Sequence, residues 1–543
     1  MLTQSHWRAD TSVEVLETTV GGVLRRAAEE VPDRLALVDG QPDPAARRTW
    51  TYAELLAEGE RTARALLRVF EPGERLAIWA ANCPEWVIVQ YGAALAGLTL
   101  VTVNPALRKA EVNHVLAQSE AAGIVMAREY RGFDKDAAIA AIHDELPTLR
   151  EIIPLSDLEA FVAAGDDATP LPDVSPDDPA QIQYTSGTTG FPKAALLHHR
   201  GVVNASRFVA QRAGVEDGVV WVNSMPMFHI GGGALTELGA YTHRGTYVLL
   251  PGFDPALQLE LVETYGGTIM LAVPTMLIAM LDHPDARTRD LSTLQTVMSG
   301  AAVVPADLVR RAKSDLGCRF TIVFGQTEMH GVISQTALTD SPEDQAETIG
   351  APLPHAEVRV VDVGTGGTQP VGVPGEICVR GYQTMLGYHG RPEDTAAAID
   401  PDGWLHSGDL GAMDERGYLR ITGRLKDVII RGGENVYPRE VEDVLFGHPG
   451  ISQVTVLGLP DAHWGEVVAA VLRPAEGAGA PDPDELRAWC RERLASFKVP
   501  SAWFAVDDLP VTPTGKVQKF VLQEQLAEGR HVPLPSRAAS AAG

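Results

Sequence analysis

Between residues 184 and 193 the chain reads Tyr184-Thr185-Ser186-Gly187-Thr188-Thr189-Gly190-Phe191-Pro192-Lys193, a run of hydroxyls and glycines closed by a lysine. Glycine lets a backbone fold back and turn its N–H groups onto an anion. The hydroxyls of Thr185, Ser186, Thr188 and Thr189 add donors, and Lys193 adds a positive charge. Such a set suits a polyphosphate. It is not a Walker A loop, because the lysine stands three positions after the last glycine and no Ser or Thr follows it. An exposed Ser/Thr/Gly linker has a similar composition, but linkers seldom follow a strand directly or end in Pro-Lys. Here Gln181-Ile182-Gln183-Tyr184 reads as a strand end.

Other residues with chemical potential are scattered along the chain. In Ser224-Met225-Pro226-Met227-Phe228-His229, a strand end meets Gly231-Gly232-Gly233. His229 is thus expected on a loop beside flexible backbone, as a proton carrier, a packing element that moves, or a plain surface residue. Phe324-Gly325-Gln326-Thr327-Glu328 ends a long strand, the place where doubly wound sheets bind ligands. Thr327 could reach a phosphate and Glu328 could hold a hard cation, or Glu328 is an ordinary loop carboxylate. Ser407-Gly408-Asp409-Leu410 places a carboxylate in what reads as a turn, able to accept from ribose hydroxyls or simply to shape the turn. Arg424, Lys426 and Arg431 cluster before Gly432-Gly433, which suits a hinge, a close approach to a ligand, or a solvated linker. Pro510-Val511-Thr512-Pro513-Thr514-Gly515-Lys516 presents a lysine on a stiff turn, which lowers the entropy cost of holding its ammonium in place.

The elements that must position these groups follow an α/β pattern. Strand-like runs (Leu35–Val38, Arg75–Ala80, Gly123–Met126, Val219–Asn223, Thr246–Leu250, Thr268–Ala272, Leu294–Ser299, Arg319–Phe324) alternate with helix-like runs (Val20–Glu30, Lys109–Gln118, Pro255–Tyr265, Pro305–Leu316). That alternation marks a doubly wound sheet covered on both faces. Thr51-Tyr52-Ala53-Glu54 is a capping-box pattern at a helix start. Residues 157–180, rich in Asp, Pro and Ala, read as a surface connection. From about Ile349 short strands and Gly/Pro turns suggest a smaller β-rich subdomain. Beyond Gly423-Arg424-Leu425-Lys426-Asp427 an α+β domain of roughly 110 residues follows. The expected organisation is an N-terminal domain over 1–425, with the β-rich subdomain at about 349–425, and a C-terminal domain over 426–543.

Composition narrows the function. A chain of 543 residues exceeds one core, and a net charge of −26 argues against nonspecific binding to nucleic acid or anionic membrane. An anion site must then be built from local basic residues. Cys83, Cys318, Cys378 and Cys490 show no metal spacing, which fits a reducing compartment. The N-terminus lacks a signal-peptide pattern, and the apolar stretch Ala93–Val103 is too short to span a bilayer, so a cytoplasmic protein is expected. A homodimer is left open.

In order and over nearly the whole chain, these motifs resemble the adenylate-forming superfamily of acyl-CoA synthetases, nonribosomal adenylation domains and luciferases. The chain looks most like bacterial fatty-acyl or medium-chain acyl-CoA ligases. The stretches that carry the resemblance are Thr185–Lys193, Trp221–Gly232, Val323–Glu328, Gly403–Leu410, Gly423–Glu440 and Thr512–Lys519. The resemblance implies a large α/β N-terminal domain of mixed sheets and a small mobile C-terminal domain. It implies ATP, Mg²⁺ and CoA, a small carboxylic acid as substrate, and an acyl-AMP intermediate passed to CoA. By position, Thr185, Ser186, Gly187, Thr188, Thr189, Gly190 and Lys193 would hold the β,γ-phosphates. Thr327 would meet the α-phosphate and Glu328 the Mg²⁺. Gly300, Ala301, Ala302, Gly325 and Gln326 would line the adenine, while Asp409 and Arg424 would take the ribose. His229 would border the acyl carboxylate. Phe228, Gly232, Met298, Met329 and His330 would line the acyl pocket. Lys426 would be the hinge, Lys516 the lysine bridging carboxylate and phosphate, and Gly432-Gly433 the pantetheine tunnel.

Two departures bear on the second half-reaction. Ala194 follows Lys193 where the family has glycine. Met329-His330 stand where fatty-acyl ligases carry small residues, so this bulky pair would shorten the acyl pocket or favour an aromatic acid. Some relatives pass the adenylate to an amine or another nitrogen nucleophile such as nitrite instead of CoA, which is the alternative reading. A nucleotide-binding regulator without turnover is the third, and retention of Lys193, Glu328 and Lys516 argues against it.

Overall fold

The computed structural model describes residues 1–165, 168–185, 192–302, 304–461, 463–475, 477, 479–511 and 517–535. The chain divides into two compact units: a larger one of Trp7–Val358 with Val379–His406, and a smaller one of Met1–His6, Arg359–Cys378 and Ser407–Gly543. The boundary expected at 425/426 falls inside the smaller unit.

Among the described residues the larger unit holds two mixed sheets. One has the strand order Gly387–Tyr388, Lys193–His198, Pro179–Thr185, Thr99–Thr102, Arg75–Trp79, Gly123–Met126, Glu151–Pro154. The other runs Ala351–Pro352, Ser334–Gln335, Arg319–Phe324, Thr296–Gly300, Ile269–Leu271, Val220–Asn223, Thr246–Leu249, Leu35–Asp39, Thr49–Thr51. Their interiors pair in parallel, and antiparallel strands close every edge but one, Glu151–Pro154, which pairs in parallel. Parallel strands need crossovers, and helices supply them, so both faces are covered and the strands are largely buried. Each sheet carries its own apolar cluster, one around Trp79, Ile124 and Ile182 and the other around Val222, Met270 and Phe320.

Local signals account for the helix starts. Thr51 and Glu54 exchange both bonds of a capping box at the head of Tyr52–Leu66. Asp254 accepts from the Leu257 N–H, and Pro255 opens Pro255–Tyr265. The expected surface connection at 157–180 contains a short helix, Leu158–Ala163, in which Leu158 and Val162 bury one face four residues apart. The triple glycine is also different from expectation. Gly231–Thr236 is a buried π-helical turn, leading into the helix Glu237–Tyr241. A Cβ at Gly232 would lie 2.4 Å from the Pro226 carbonyl oxygen, and one at Gly233 2.1 Å from that of Met227. These glycines serve tight packing, not flexibility.

In the smaller unit one sheet has the order Glu434–Val436, Ile429–Arg431, Gly465–Pro474, Ile451–Asp461, with Ala502–Ala505 beside Gly465–Pro474, while Leu405–Met413 and Leu419–Arg424 pair in another. Along Gly465–Pro474, Val468, Ala470 and Leu472 enter one apolar cluster while Ala469 and Val471 enter another. The period of two means that both faces of this sheet are buried. No helix among the described residues is long and apolar enough to cross a membrane. All four cysteines are free.

One buried polar chain in the larger unit has a thermodynamic consequence. Gln183 Nε2 donates to Gln181 Oε1 at 2.9 Å, Gln181 Nε2 to Gln90 Oε1 at 3.4 Å, and Gln90 Nε2 to Glu237 Oε2 at 2.6 Å. Burial raises the Glu237 carboxyl from 4.5 to about 8. Between those values the folded chain holds a proton that the unfolded chain releases, so stability falls as pH rises from about 4.5 to about 8. Glu237→Gln removes this loss. Its Tm advantage over wild type should grow from pH 5 to pH 8 and then level off, corresponding to roughly 3 to 5 kcal/mol. A Tm difference that is flat across this range would show that Glu237 does not carry the proton.

Candidate active site

The hydroxyl and glycine run lies between two neighbouring strands. Pro179–Thr185 and Lys193–His198 pair antiparallel, and Thr185 faces Lys193 as the last pair of the ladder. Ser186, Gly187, Thr188, Thr189 and Gly190 lie outside the described residues. Pairing at Thr185↔Lys193 brings together the two residues that flank the run.

Lys193 Nζ lies 2.6 Å from Asp394 Oδ1 and 4.9 Å from the centre of the Tyr388 ring. The other Asp394 oxygen is held by Arg391 Nε at 2.6 Å. The Lys193 ammonium, helped by Arg391, keeps the Asp394 carboxyl below its ordinary range. Tyr388 sits on an edge strand opposite Ala195, and its hydroxyl donates to Glu328 Oε1 at 2.8 Å. Burial, then the Glu328 carboxylate, pushes the Tyr388 phenol upward and keeps it a donor. One tyrosine therefore touches the lysine with its face and the carboxylate with its edge.

Glu328 stands in the turn Thr327–Met329, beyond the end of the strand Arg319–Phe324, and its carbonyl accepts from the Met385 N–H. Gly300 and Gly325 end the two adjacent parallel strands, or follow them directly. A Cβ at Gly300 would lie 2.3 Å from the Val323 carbonyl oxygen, and one at Gly325 2.4 Å from that of Gly331. Only glycine admits these approaches. Ala301 takes the left-handed conformation at φ 63°, and both Ala301 and Ala302 are exposed. Met298 is buried within its strand. Strand ends, a carboxylate and a lysine thus converge as open α/β sheets allow.

Phe228 and His229 are half-buried ahead of the π-helical turn. The His229 carbonyl accepts from Gly232 and Gly233 at 3.1 and 2.8 Å, and His229 Nδ1 lies 3.4 Å from the Gly231 N–H. His229 is on a loop as expected, but that loop is tied to the glycine turn.

His330 departs from expectation. Its ring is fully buried: Nε2 accepts from the His198 N–H at 3.1 Å, and Nδ1 donates to the Gln383 carbonyl at 2.7 Å. Burial, then the neighbouring His198, pushes it down to about 3, so it stays neutral. The ring fills the space that a side chain at Gly201 would need, with Nε2 2.3 Å from the position of a Cβ. Its bulk is spent on tying the Glu328 turn to the strand Lys193–His198. Met329 is buried beside it.

The smaller unit holds the remaining candidates. Asp409 lies not in a turn but within the strand Leu405–Met413, opposite Arg424 in register, and Arg424 Nε reaches Asp409 Oδ1 at 2.9 Å. Lys426 is exposed in the turn Leu425–Asp427. Gly432 and Gly433, at φ 60° and 88°, form the two-residue turn between Ile429–Arg431 and Glu434–Val436. A Cβ at Gly432 would lie 2.7 Å from the Trp464 ring. Lys516 lies outside the described residues. Val511 and Val517 on either side of its segment form an antiparallel bridge, and the Gln518 N–H reaches the Pro510 carbonyl at 2.8 Å.

Comparison with known proteins identifies the family. The AMP-binding enzyme family matches residues 24–389, and the AMP-binding enzyme C-terminal domain matches residues 440–516. The chain belongs to the AMP-binding enzymes. It is 38% identical over 544 residues to the putative acyl-CoA synthetase YngI of Bacillus subtilis, covering 95% of this chain and 98% of that one. It is 33% identical to the mitochondrial medium-chain acyl-CoA ligase ACSF2 of Rattus norvegicus, covering 96% and 90%. Among solved structures, ATP-bound MatB from Rhodopseudomonas palustris superposes with a TM-score of 0.85 at 30% identity, covering 94% and 99%. The adenylate-forming resemblance and the α/β fold are borne out. The protein is an AMP-forming acid–CoA ligase: it uses ATP to turn a carboxylic acid into acyl-AMP and pyrophosphate, then transfers the acyl group to CoA. Use of the adenylate by a nitrogen nucleophile is not favoured.

The AMP-binding enzyme's sequence did not point to Tyr388, Asp394 or Arg391. Arg391-Pro392-Glu393-Asp394 carries only the signal of a helix start, a proline with acidic residues in the first turn. Nothing local says that it faces Lys193. For His330 the geometry leads to a specific expectation. His330→Ala should cost about 3 kcal/mol through the lost packing and two lost hydrogen bonds. It should not lengthen the range of acids accepted. Thermal unfolding together with pyrophosphate release across acids of increasing length checks both, and a shift toward longer acids would return His330 to the acyl pocket.

Proposed function

We propose that this ligase activates an aliphatic, medium-chain carboxylic acid in the cytoplasm, with Mg²⁺ as the resident metal. The observation that carries the nucleotide half of this reading is the Lys193–Tyr388–Glu328 constellation, a cation and a carboxylate held on one ring at the strand ends. In this reading Thr185–Lys193 cradles the β,γ-phosphates, Thr327 meets the α-phosphate, and Gly300–Ala302 with Gly325-Gln326 flank the adenine. Asp409 and Arg424 take the ribose hydroxyls. Glu328 suits a hard cation with the oxygen that Tyr388 leaves over; bound there, Mg²⁺ would neutralise phosphate charge.

A carboxylate is a poor electrophile, so it must first be activated. Its oxygen attacks the α-phosphorus, the bond to the β-phosphate oxygen breaks, and pyrophosphate departs. Two anions must approach, so Lys193 and Lys516 are proposed to offset their repulsion. The CoA thiolate then attacks the acyl carbonyl and AMP leaves. Gly432-Gly433 is proposed to line the path of the pantetheine arm after the domain beginning near Lys426 has turned.

The acyl side is proposed to lie beside the triple-glycine turn, whose neighbours are largely apolar apart from His229. A Cβ at Gly331 would lie 3.0 Å from Ile230 and from Leu235, and one at Gly231 3.6 Å from Leu271 and 3.7 Å from Met225. The bulk of His330 is accounted for by Gly201, which removes the reason to expect a short or aromatic acid. The medium-chain substrate named for the ACSF2 relative agrees with an aliphatic pocket.

Three measurements test this. Saturated acids of medium length with CoA should release pyrophosphate faster than benzoate does, with acyl-CoA seen by mass spectrometry; a preference for benzoate would overturn the acid class. Lys516→Ala should lose at least ~100-fold in adenylate formation while still converting supplied acyl-AMP to acyl-CoA. Adenylation at the wild-type rate would take Lys516 out of the mechanism. Lys426→Pro should impair at least one half-reaction, and two unchanged rates would refute the hinge.

A further inference from the structure

Lys193 is the cation at the mouth of the proposed cradle, yet its ammonium is engaged by a carboxylate from another part of the chain, Asp394, at 2.6 Å. Asp394 would keep a cation if Lys193 left, because Arg391 holds its other oxygen at 2.6 Å. Lys193 can therefore leave without stranding a negative charge, which is the usual cost of breaking a half-buried pair. The Tyr388 ring, 4.9 Å from the ammonium, is held by its pairing with Ala195 and its bond to Glu328 and not by Asp394. About a third of the Lys193 side chain and a quarter of that of Asp394 are exposed, so the exchange needs no opening of the core.

We propose that Asp394 is an exchangeable counterion for Lys193, displaced by the β,γ-phosphates of ATP and reclaiming the lysine as pyrophosphate leaves. The inference rests on the reading of Thr185–Lys193 as the polyphosphate cradle. A carboxylate competing for the lysine lowers affinity for ATP and for pyrophosphate but leaves AMP, which lacks those phosphates, untouched. This sets pyrophosphate free after adenylation, where a lysine without a competitor would hold it.

The test compares binding of ATP, pyrophosphate and AMP by calorimetry to the full-length enzyme and to Asp394→Asn, Asp394→Glu and Lys193→Ala. Asp394→Asn should bind ATP and pyrophosphate about 3- to 5-fold more tightly, the scale of a partly exposed ion pair, with AMP unchanged. Asp394→Glu keeps the charge and should restore binding close to wild type. Unchanged or weaker ATP binding by Asp394→Asn would overturn the proposal, and so would an equal gain for AMP. Lys193→Ala should weaken ATP but not AMP. If it weakens neither, the cradle reading itself fails, and that failure is distinguishable because it does not depend on Asp394.

Discussion

The antiparallel pairing of Pro179–Thr185 with Lys193–His198 is the constraint on which the site depends. Pro179–Thr185 is an interior strand, flanked on its other side by the parallel strand Thr99–Thr102. Its position is therefore set by a buried sheet and not by the run that follows it. The return strand carries almost everything else. From its far edge hangs Gly387–Tyr388, through Ala195↔Tyr388 and Leu196↔Gly387. At its end, the His198 N–H engages His330, two residues beyond Glu328. A six-residue strand thus fixes Lys193 directly, Tyr388 by its ladder and the Glu328 turn by a side-chain bond. The Tyr388–Glu328 hydrogen bond at 2.8 Å closes the circuit. Three elements distant in sequence are held as one body because each is anchored to the same strand.

Charge is handled as locally as geometry. A chain with a net charge of −26 repels a polyanion at long range, and at physiological ionic strength that repulsion is screened within about 8 Å. Attraction must then come from cations at contact distance. Among the described residues, two basic residues proposed to meet the nucleotide, Lys193 and Arg424, are each paired with a carboxylate, Asp394 and Asp409. Paired cations cost little to keep in an acidic protein, and their side chains are already oriented. The pairs differ in kind. Asp409 is buried and lies opposite Arg424 in the ladder, so that pair is part of the sheet. Asp394 is more exposed and has a second cation, so its hold on Lys193 is more easily exchanged.

What could be read from the chain beforehand was whatever is encoded locally. Period-two and period-3.6 runs placed Val20–Glu30, Gly123–Met126, Pro255–Tyr265 and Arg319–Phe324 to the residue, and the capping box at Thr51 and Glu54 is a contact between near neighbours. Errors arose where a residue's meaning depends on a distant partner. Gly231–Gly233 read as flexible because glycine is permissive, but the carbonyls of Pro226 and Met227 leave no room for anything larger. Asp409 read as a turn residue because Gly-Asp favours turns, whereas Arg424 makes it a ladder position. His330 read as pocket-filling bulk because the vacancy opposite it, Gly201, lies far away in the chain. Tyr388 and Asp394 carried no local signal, since their significance is their distance to Glu328 and Lys193.

The same reasoning bears on where the chain could turn between the two half-reactions. In the smaller unit the hairpin of Leu405–Met413 and Leu419–Arg424 ends at the pair Asp409↔Arg424, fastened by both register and ion pair. The next residues, Leu425–Asp427, form a single exposed turn, and a new sheet begins at Ile429. A rotation about Lys426 would break no ladder bond and would leave Arg424 on its aspartate. Placed one or two residues earlier, the same rotation would tear Arg424 from the strand; placed later, it would disturb the Ile429–Arg431 pairing that presents Gly432-Gly433. Lys426 is on this ground the proposed hinge. A hinge there lets the proposed ribose contacts persist while whatever follows is exchanged, which is what a reaction requires if AMP is both the product of its first step and the leaving group of its second.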